Sequence, residues 1–284
     1  ESAPSDNFLI NMEGDSTFSA EGASLTFLRI GKGPSVSEAN PWTGAISITH
    51  SDITPPYRIE GKVKAFEGNN ADCLGINSVA LKLFFEMEGF DDDIVVKDNT
   101  MPGCFVNITW DNIAPSGDII AQDNTLASLD IGAPGDDPHL GTTLITRNSG
   151  VDGSELIIAL FAARGDVFID DNRTRRISFG VSEYIPEAQG LAPLRSISRN
   201  TVLGDNLDSE NLDDVVIQGN HVTCTSSNQA GIDVTGSGGR GSKVLDNYVT
   251  GCRWGLQIAS NRSLGLISDV EISGNTSEGN DTNI

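Results

Sequence analysis

The residues best equipped for chemistry in this sequence are carboxylates. Asp205, Asp208, Glu210, Asp213 and Asp214 crowd one short stretch, and Asp233 falls on the next predicted strand at an outward-facing alternation. Two acids about 5–5.5 Å apart cleave a glycosidic bond with retention, and about 6.5–9.5 Å apart with inversion. Asp213 or Asp214 with Asp233 is therefore the preferred catalytic pair, with Glu210 in reserve. A cluster of hard oxygen donors would also suit calcium. No other cofactor is indicated, and no metal site is assigned. Asp is common throughout the chain, so the competing reading is a set of solvated loop acids that maintain solubility.

Aromatic rings that stack on sugars are scarce: Trp42, Trp110 and Trp254 are the only tryptophans. Trp254 follows Arg253 and opens the strand-like run Gly255-Leu256-Gln257-Ile258. It is the candidate sugar platform, against the alternative of a ring that covers the core near Cys252. Arg253 and Arg240 complete the glycan-binding candidates. Arg240 lies within Gly236–Gly241, a Gly-Ser-Gly-Gly-Arg-Gly run without the Lys-Ser/Thr ending of a phosphate-binding loop, which reads as a flexible bend. The three histidines, His50, His139 and His221, are scattered and do not make a zinc site.

The elements that would position these residues are strands. Short β-branched runs such as Ala45–Thr49, Ile94–Val96 and Val215–Ile217 are cut by Asn, Gly and Asp. The two best helical patterns, Asn77–Met87 and Glu155–Ala163, are rich in β-branched or aromatic residues and also read as strands. A repeat orders the runs. Asn99, Asn124, Asn148, Asn172, Asn200, Asn220, Asn247 and Asn275 succeed one another at intervals of 25, 24, 24, 28, 20, 27 and 28 residues. Val or Ile stands three positions before all of them except Asn124, and Asp or Gly directly before six. Such a period, about 25 residues, fits three short strands per coil with successive coils stacked in parallel at roughly 4.8 Å. The apolar residue then faces inward, the turn-former bends the chain, and the Asn amide bonds to backbone and to neighbouring Asn residues. Asn70 is a plausible earlier member of the series.

The cysteines repeat with the coils. Cys224 and Cys252 follow their Asn residues by four and five positions, Cys104 follows Asn99 by five, and Cys73 lies a coil earlier. Stacked coils bring equivalent positions to about 5 Å, within disulfide range, so Cys73–Cys104 and Cys224–Cys252 are the expected bridges. Buried free thiols are the alternative. Bridges would fit an extracellular, cell-surface or virion location. Four Asn-x-Ser/Thr sequons begin at Asn107, Asn172, Asn261 and Asn275 and matter only in a eukaryotic secretory pathway.

On these Asn-centred repeats the chain resembles the right-handed parallel β-helix superfamily, which includes pectate-lyase-like enzymes, alginate-modifying enzymes and bacteriophage tailspikes. The fold class expected is all-β, a right-handed single-stranded parallel β-helix with about 25 residues per coil. Leu28–Gly33 looks like the start of a tailspike helix. The resemblance implies a polysaccharide or cell-surface glycan as partner, glycan cleavage as an activity, and a homotrimer. The triplet Asp137-Pro138-His139 is similar to the catalytic triplet of mannuronan epimerases, which would give Asp137 and His139 roles in proton transfer. A polysaccharide lyase or epimerase is therefore one alternative function. A non-catalytic structural or adhesive rod is the other.

Residues 1–40 lack the repeat and read as a β-rich N-terminal segment or cap, and 41–284 as the β-helix, expected to continue past residue 284. The opening Glu1-Ser2-Ala3-Pro4 suggests a removed leader or a piece of a longer chain. With 40 acidic against 18 basic residues, the net charge of -22 argues against nucleic acid and anionic membranes as partners. No apolar run is long enough to span a bilayer.

Overall fold

A computed structural model describes residues 8–13, 15–26, 28–32, 44–54, 58–59, 62–74, 82–86, 90–110, 114–132, 139–151, 156–161, 163, 165–180, 193–210, 213–225, 229–236, 240–260 and 268–282. Among them there is no α-helix, and every strand pairing is parallel. The chain visits three walls in rotation. Val215–Gln218 belongs to an eleven-stranded sheet, His221–Cys224 to a five-stranded sheet, and Ala230–Gly236 to an eight-stranded sheet. The chain then returns to the first wall with Lys243–Leu245. This all-β arrangement of stacked parallel sheets is compatible with a parallel β-helix or solenoid. The patterns at 77–87 and 155–163 contain the strands Lys82–Glu86 and Ile157–Phe161.

Stacking begins before residue 40. Phe18–Glu21 pairs with Ile46–Thr49, and Ser24–Thr26 with Asp52–Thr54. Leu28–Lys32 is paired on both sides, by Phe8–Met12 and by Arg58–Ile59.

The walls enclose a core because side chains alternate along each strand. In the eleven-stranded sheet Ile94, Ile119 and Val167 stack inward with Val96, Ala121, Ile145, Ile169, Ile197, Ile217 and Val244, all fully buried. Ile272 holds the equivalent place on the last described coil and is exposed. From the eight-stranded sheet come Val106, Leu129, Ile158, Ile177, Leu207 and Ile232. Stacking like on like gives each apolar side chain partners above and below, so burial per coil depends on the neighbouring coils.

The corner between the first two walls is polar and fully paired. Asn148 takes Nδ2–H and backbone N–H bonds from Asn124 onto its Oδ1, at 2.8 and 3.1 Å. Its own Nδ2 donates to Oδ1 of Asn172 and to the carbonyl of Ala121. The pattern runs from Asn69 to Asn275, with partners 30, 25, 24, 24, 28, 20, 27 and 28 residues apart. Asn69, fully buried, is the earlier member; Asn70 is exposed on the next strand. The chain turns this corner through a left-handed residue directly before each Asn. Asp98, Asp123, Asp171 and Asp246 have φ of 54–57°, and Gly219 and Gly274 have 66° and 68°. Glycine takes this conformation without cost and Asp more easily than most residues. Arg147 and Arg199 adopt it too, and each forms a two-bond ion pair with the Asp one coil earlier, Asp123 and Asp171.

With the ladder starting at Asn69, the cysteines fall into one rule, four and five residues after the Asn in each pair of coils. Cys73–Cys104 and Cys224–Cys252 are disulfides, with Cα atoms 5.1 and 4.9 Å apart. Two such bridges point to an oxidising environment.

Candidate functional site

The site is built by the outward side chains of the eight-stranded sheet. Leu207–Glu210 and Ala230–Gly236 pair with Leu207 opposite Ile232 and Asp208 opposite Asp233. Leu207, Ser209, Ile232 and Val234 face the core, so Asp208 and Asp233 must face outward on neighbouring strands. Adjacent strands are roughly 4.8 Å apart, which brings the two carboxylates together. The outward row continues through Asn107, Asp130, Ala159, Ser178 and Gln257.

Charge in this pair is divided unequally. Arg176, from the strand Arg176–Gly180, donates from Nη2 to Oδ2 of Asp208 at 2.9 Å. Asp233 has no ion pair among the described residues. Burial pushes its carboxyl up to about 6, with the neighbouring charges of Asp208 and Glu210 adding to the effect. A carboxyl pushed up towards neutral pH suits a proton donor. Several polar atoms here are also buried without a hydrogen-bond partner: Asp208 Oδ1, Asp233 Oδ1, Arg176 Nε and, further along the row, Asn107 Oδ1. Leaving such atoms unpaired costs about 1–3 kcal/mol each. One N–H donor beside two carboxylate acceptors matches hydroxyl groups, which both accept and donate.

The structure distributes the sequence-derived candidates unevenly. Asp233 and Glu210 lie on this outward face, Glu210 exposed at the strand end opposite Thr235. Asp213 and Asp214 instead sit in the turn into the eleven-stranded sheet. Asp213 is buried, accepts the Arg240 backbone N–H at 2.9 Å and its Nη2 at 3.2 Å, and its carbonyl accepts from Arg195. Asp214 is exposed, has φ of 55° and packs against Gly241. Neither shares the row of Asp233. Asp208, which does, belongs to the acidic cluster of the sequence but not to its preferred pair, because it follows its ladder Asn by 8 residues while Asp233 follows its own by 13. Unequal loops hid their register.

The glycan-binding candidates lie elsewhere. Trp254 is half-buried and pairs with buried Ala230. It lines a cavity of about 370 Å³ with Leu256, Gln257, Ile258, Ile272 and Thr282 at the last described coil. Arg253 stacks over its ring at 4.2 Å. Arg240 is engaged by Asp213. Trp110 is buried, and Trp42 lies outside the described residues.

Asp137 also lies outside the described residues. His139 is fully buried, with Nδ1 bound to the Pro115 carbonyl at 2.9 Å and its ring 6.0 Å from that of Trp110. Burial holds its imidazole below the usual histidine range, against the raising effect of Asp118 and of the Pro115 and Thr142 backbone. A neutral histidine inside the coil is out of reach of a polymer. His221 is exposed and meets Tyr248 edge to face at 4.8 Å, and Tyr248 donates to Glu278. No group of three or more His, Cys, Asp or Glu poised to hold a metal ion occurs among the described residues. Comparison with family models, curated proteins and solved structures gives no match.

Proposed function

We propose that this chain is a right-handed parallel β-helix of the pectate-lyase and tailspike kind, of extracellular, cell-surface or virion location, that recognises a polysaccharide. The glycan lies along the outward row of the eight-stranded sheet. The observation that carries this reading is the group of unpartnered polar atoms on Arg176, Asp208 and Asp233, whose donor and acceptors complement sugar hydroxyls. The row runs across the strands, so a polymer laid along it meets side chains at each roughly 4.8 Å step. With a net charge of -22 and acids dominating the site, a neutral glycan fits better than a polyuronate. Hydrolysis is the activity the pair suits best. Asp233, protonated below about pH 6, gives its proton to the leaving oxygen as the glycosidic bond breaks, Asp208 takes the anomeric carbon as an ester, and water then cleaves that ester, its proton returning to Asp233.

A second reading, a non-catalytic structural or adhesive rod, has its own support. The Asn ladder and two disulfides make a rigid scaffold, and the row positions Asn107, Asp130, Ala159, Ser178, Asp208, Asp233 and Gln257 include no tryptophan among the described residues. The deciding experiment is a glycan-array screen with product analysis on the wild type, Asp208→Asn and Asp233→Asn. Binding weakened by both substitutions, with product lost, supports the enzyme. Binding without product in the wild type makes it a binding module. Absence of binding across the array favours the rod.

A further inference from the structure

Phe161 stands apart on the outer face of the eight-stranded sheet. In the strand Ile157–Phe161, Ile158 and Leu160 are fully buried, so Ile157, Ala159 and Phe161 alternate outward, Phe161 half-buried. Ala159 belongs to the row, and Phe161 is the next outward residue along the same strand. Its neighbours on both adjoining strands are glycines. Gly180 is its partner on the following strand. Gly132 lies against its backbone from the preceding one, where an added Cβ would meet the Phe161 carbonyl oxygen at 2.3 Å. Gly180 is confined too, since a Cβ there would come within 3.0 Å of the Glu210 carbonyl oxygen and 3.1 Å of Glu210 Cβ. No other ring or cation contacts Phe161 among the described residues. The ring therefore borders a bare floor of Ala159, Ser178 and Gly180 that ends at Asp208 and Glu210, two strands on.

We propose that Phe161 is the sugar-stacking platform of this surface, packing against the C–H face of a neutral pyranose at a subsite along the row from Asp208 and Asp233. This rests on the reading of the row as the glycan surface. The row positions themselves are polar or small, so they bind hydroxyl groups and offer the apolar face of a sugar little to rest on. Phe161 supplies that contact. The electron-rich face of an aromatic ring attracts polarised C–H groups and needs no charge on either partner. Two strand steps, roughly 10 Å, separate Phe161 from Asp208 and Glu210, so a glycan held by the carboxylates and lying along the floor passes the ring. Another outward phenylalanine, Phe105, is four strands from Asp208.

The probe is the neutral oligosaccharide that the wild type binds most tightly in the glycan array, with its affinity measured by titration calorimetry. Phe161→Leu keeps an apolar side chain without a ring face and weakens binding by about three- to tenfold. Phe161→Tyr, which keeps the face, recovers most of that loss. In the wild-type complex the C–H protons of the stacked sugar move upfield under the ring current, and the Leu variant loses that shift. Either an unchanged affinity or a retained upfield shift in the Leu variant overturns the proposal. If that variant does not fold, the wild type decides. Nuclear Overhauser contacts between the sugar C–H protons and the Phe161 ring protons, assigned by their loss in Phe161→Tyr, support the platform, and their absence overturns it. Where Phe161→Leu binds as the wild type does but Asp208→Asn weakens binding, the platform fails and the row stands. An array without any binder overturns both.

Discussion

The Asn corner and the outward row of the eight-stranded sheet come from the same device, a residue repeated once per coil, yet they settle their polar groups in opposite ways. At the corner, Asn148 has Oδ1 and both Nδ2 protons paired, and Asn124 and Asn172 repeat the pattern. Along the row, Asp208 and Asp233 each keep one buried oxygen without a partner, and Asp233 resists ionisation. Polar groups that hold a fold together are satisfied within it; polar groups left wanting are available for something else.

Breaking the corner has the largest expected effect. Asn148→Ala strands the backbone N–H and Nδ2–H of Asn124 and the carbonyl of Ala121 inside the coil, a loss on the order of 4 kcal/mol in denaturant unfolding. Next comes the disulfide between neighbouring coils. Replacing Cys224 and Cys252 together by Ser removes a link closing 28 residues and costs about 3 kcal/mol by the same measurement.

The row should respond with the opposite sign. The folded state raises the carboxyl of Asp233 from 3.8 to about 6, so it binds a proton more tightly than the unfolded chain does. Stability associated with this group is therefore lost as pH rises from about 4 to 6. Asp233→Asn removes that loss, and its melting temperature exceeds that of the wild type by roughly 2 °C or more above pH 7, with the gap closing near pH 4. His139 has the reverse linkage. Its imidazole is held below 6.5 by burial, so the stability it contributes is present above pH 6.5 and is lost as pH falls below it. His139→Phe would flatten that acid-side decline in a series of thermal melts. The smallest effect belongs to the exposed ion pairs: Arg147→Ala breaks the contact with Asp123 but moves the melting temperature by no more than about 1 °C.

How much of this was legible in the sequence follows the same division. The corner is readable because it demands specific residue types at fixed offsets: Asn on the ladder, a residue tolerant of left-handed φ before it, a β-branched residue at minus three. Even there, Arg147 and Arg199 took the turn position, supported by ion pairs one coil away that no local pattern reveals. Asn69 was obscured by Asn70, which has the same side chain and a different place. The row was harder to read because its register depends on loop lengths that no residue type marks. Asp213 and Asp214 looked like partners of Asp233 by nearness in the chain, but the turn carries them onto another wall.

The most direct test of the claim that the unsatisfied row is the working surface is hydrogen exchange of the wild type with and without a glycan selected from the array. The expected result is slowed exchange in Arg176–Gly180, Leu207–Glu210 and Ala230–Gly236, with the Asn corner unchanged. Slowed exchange confined to the five-stranded or eleven-stranded sheet, or none with any glycan, would contradict it.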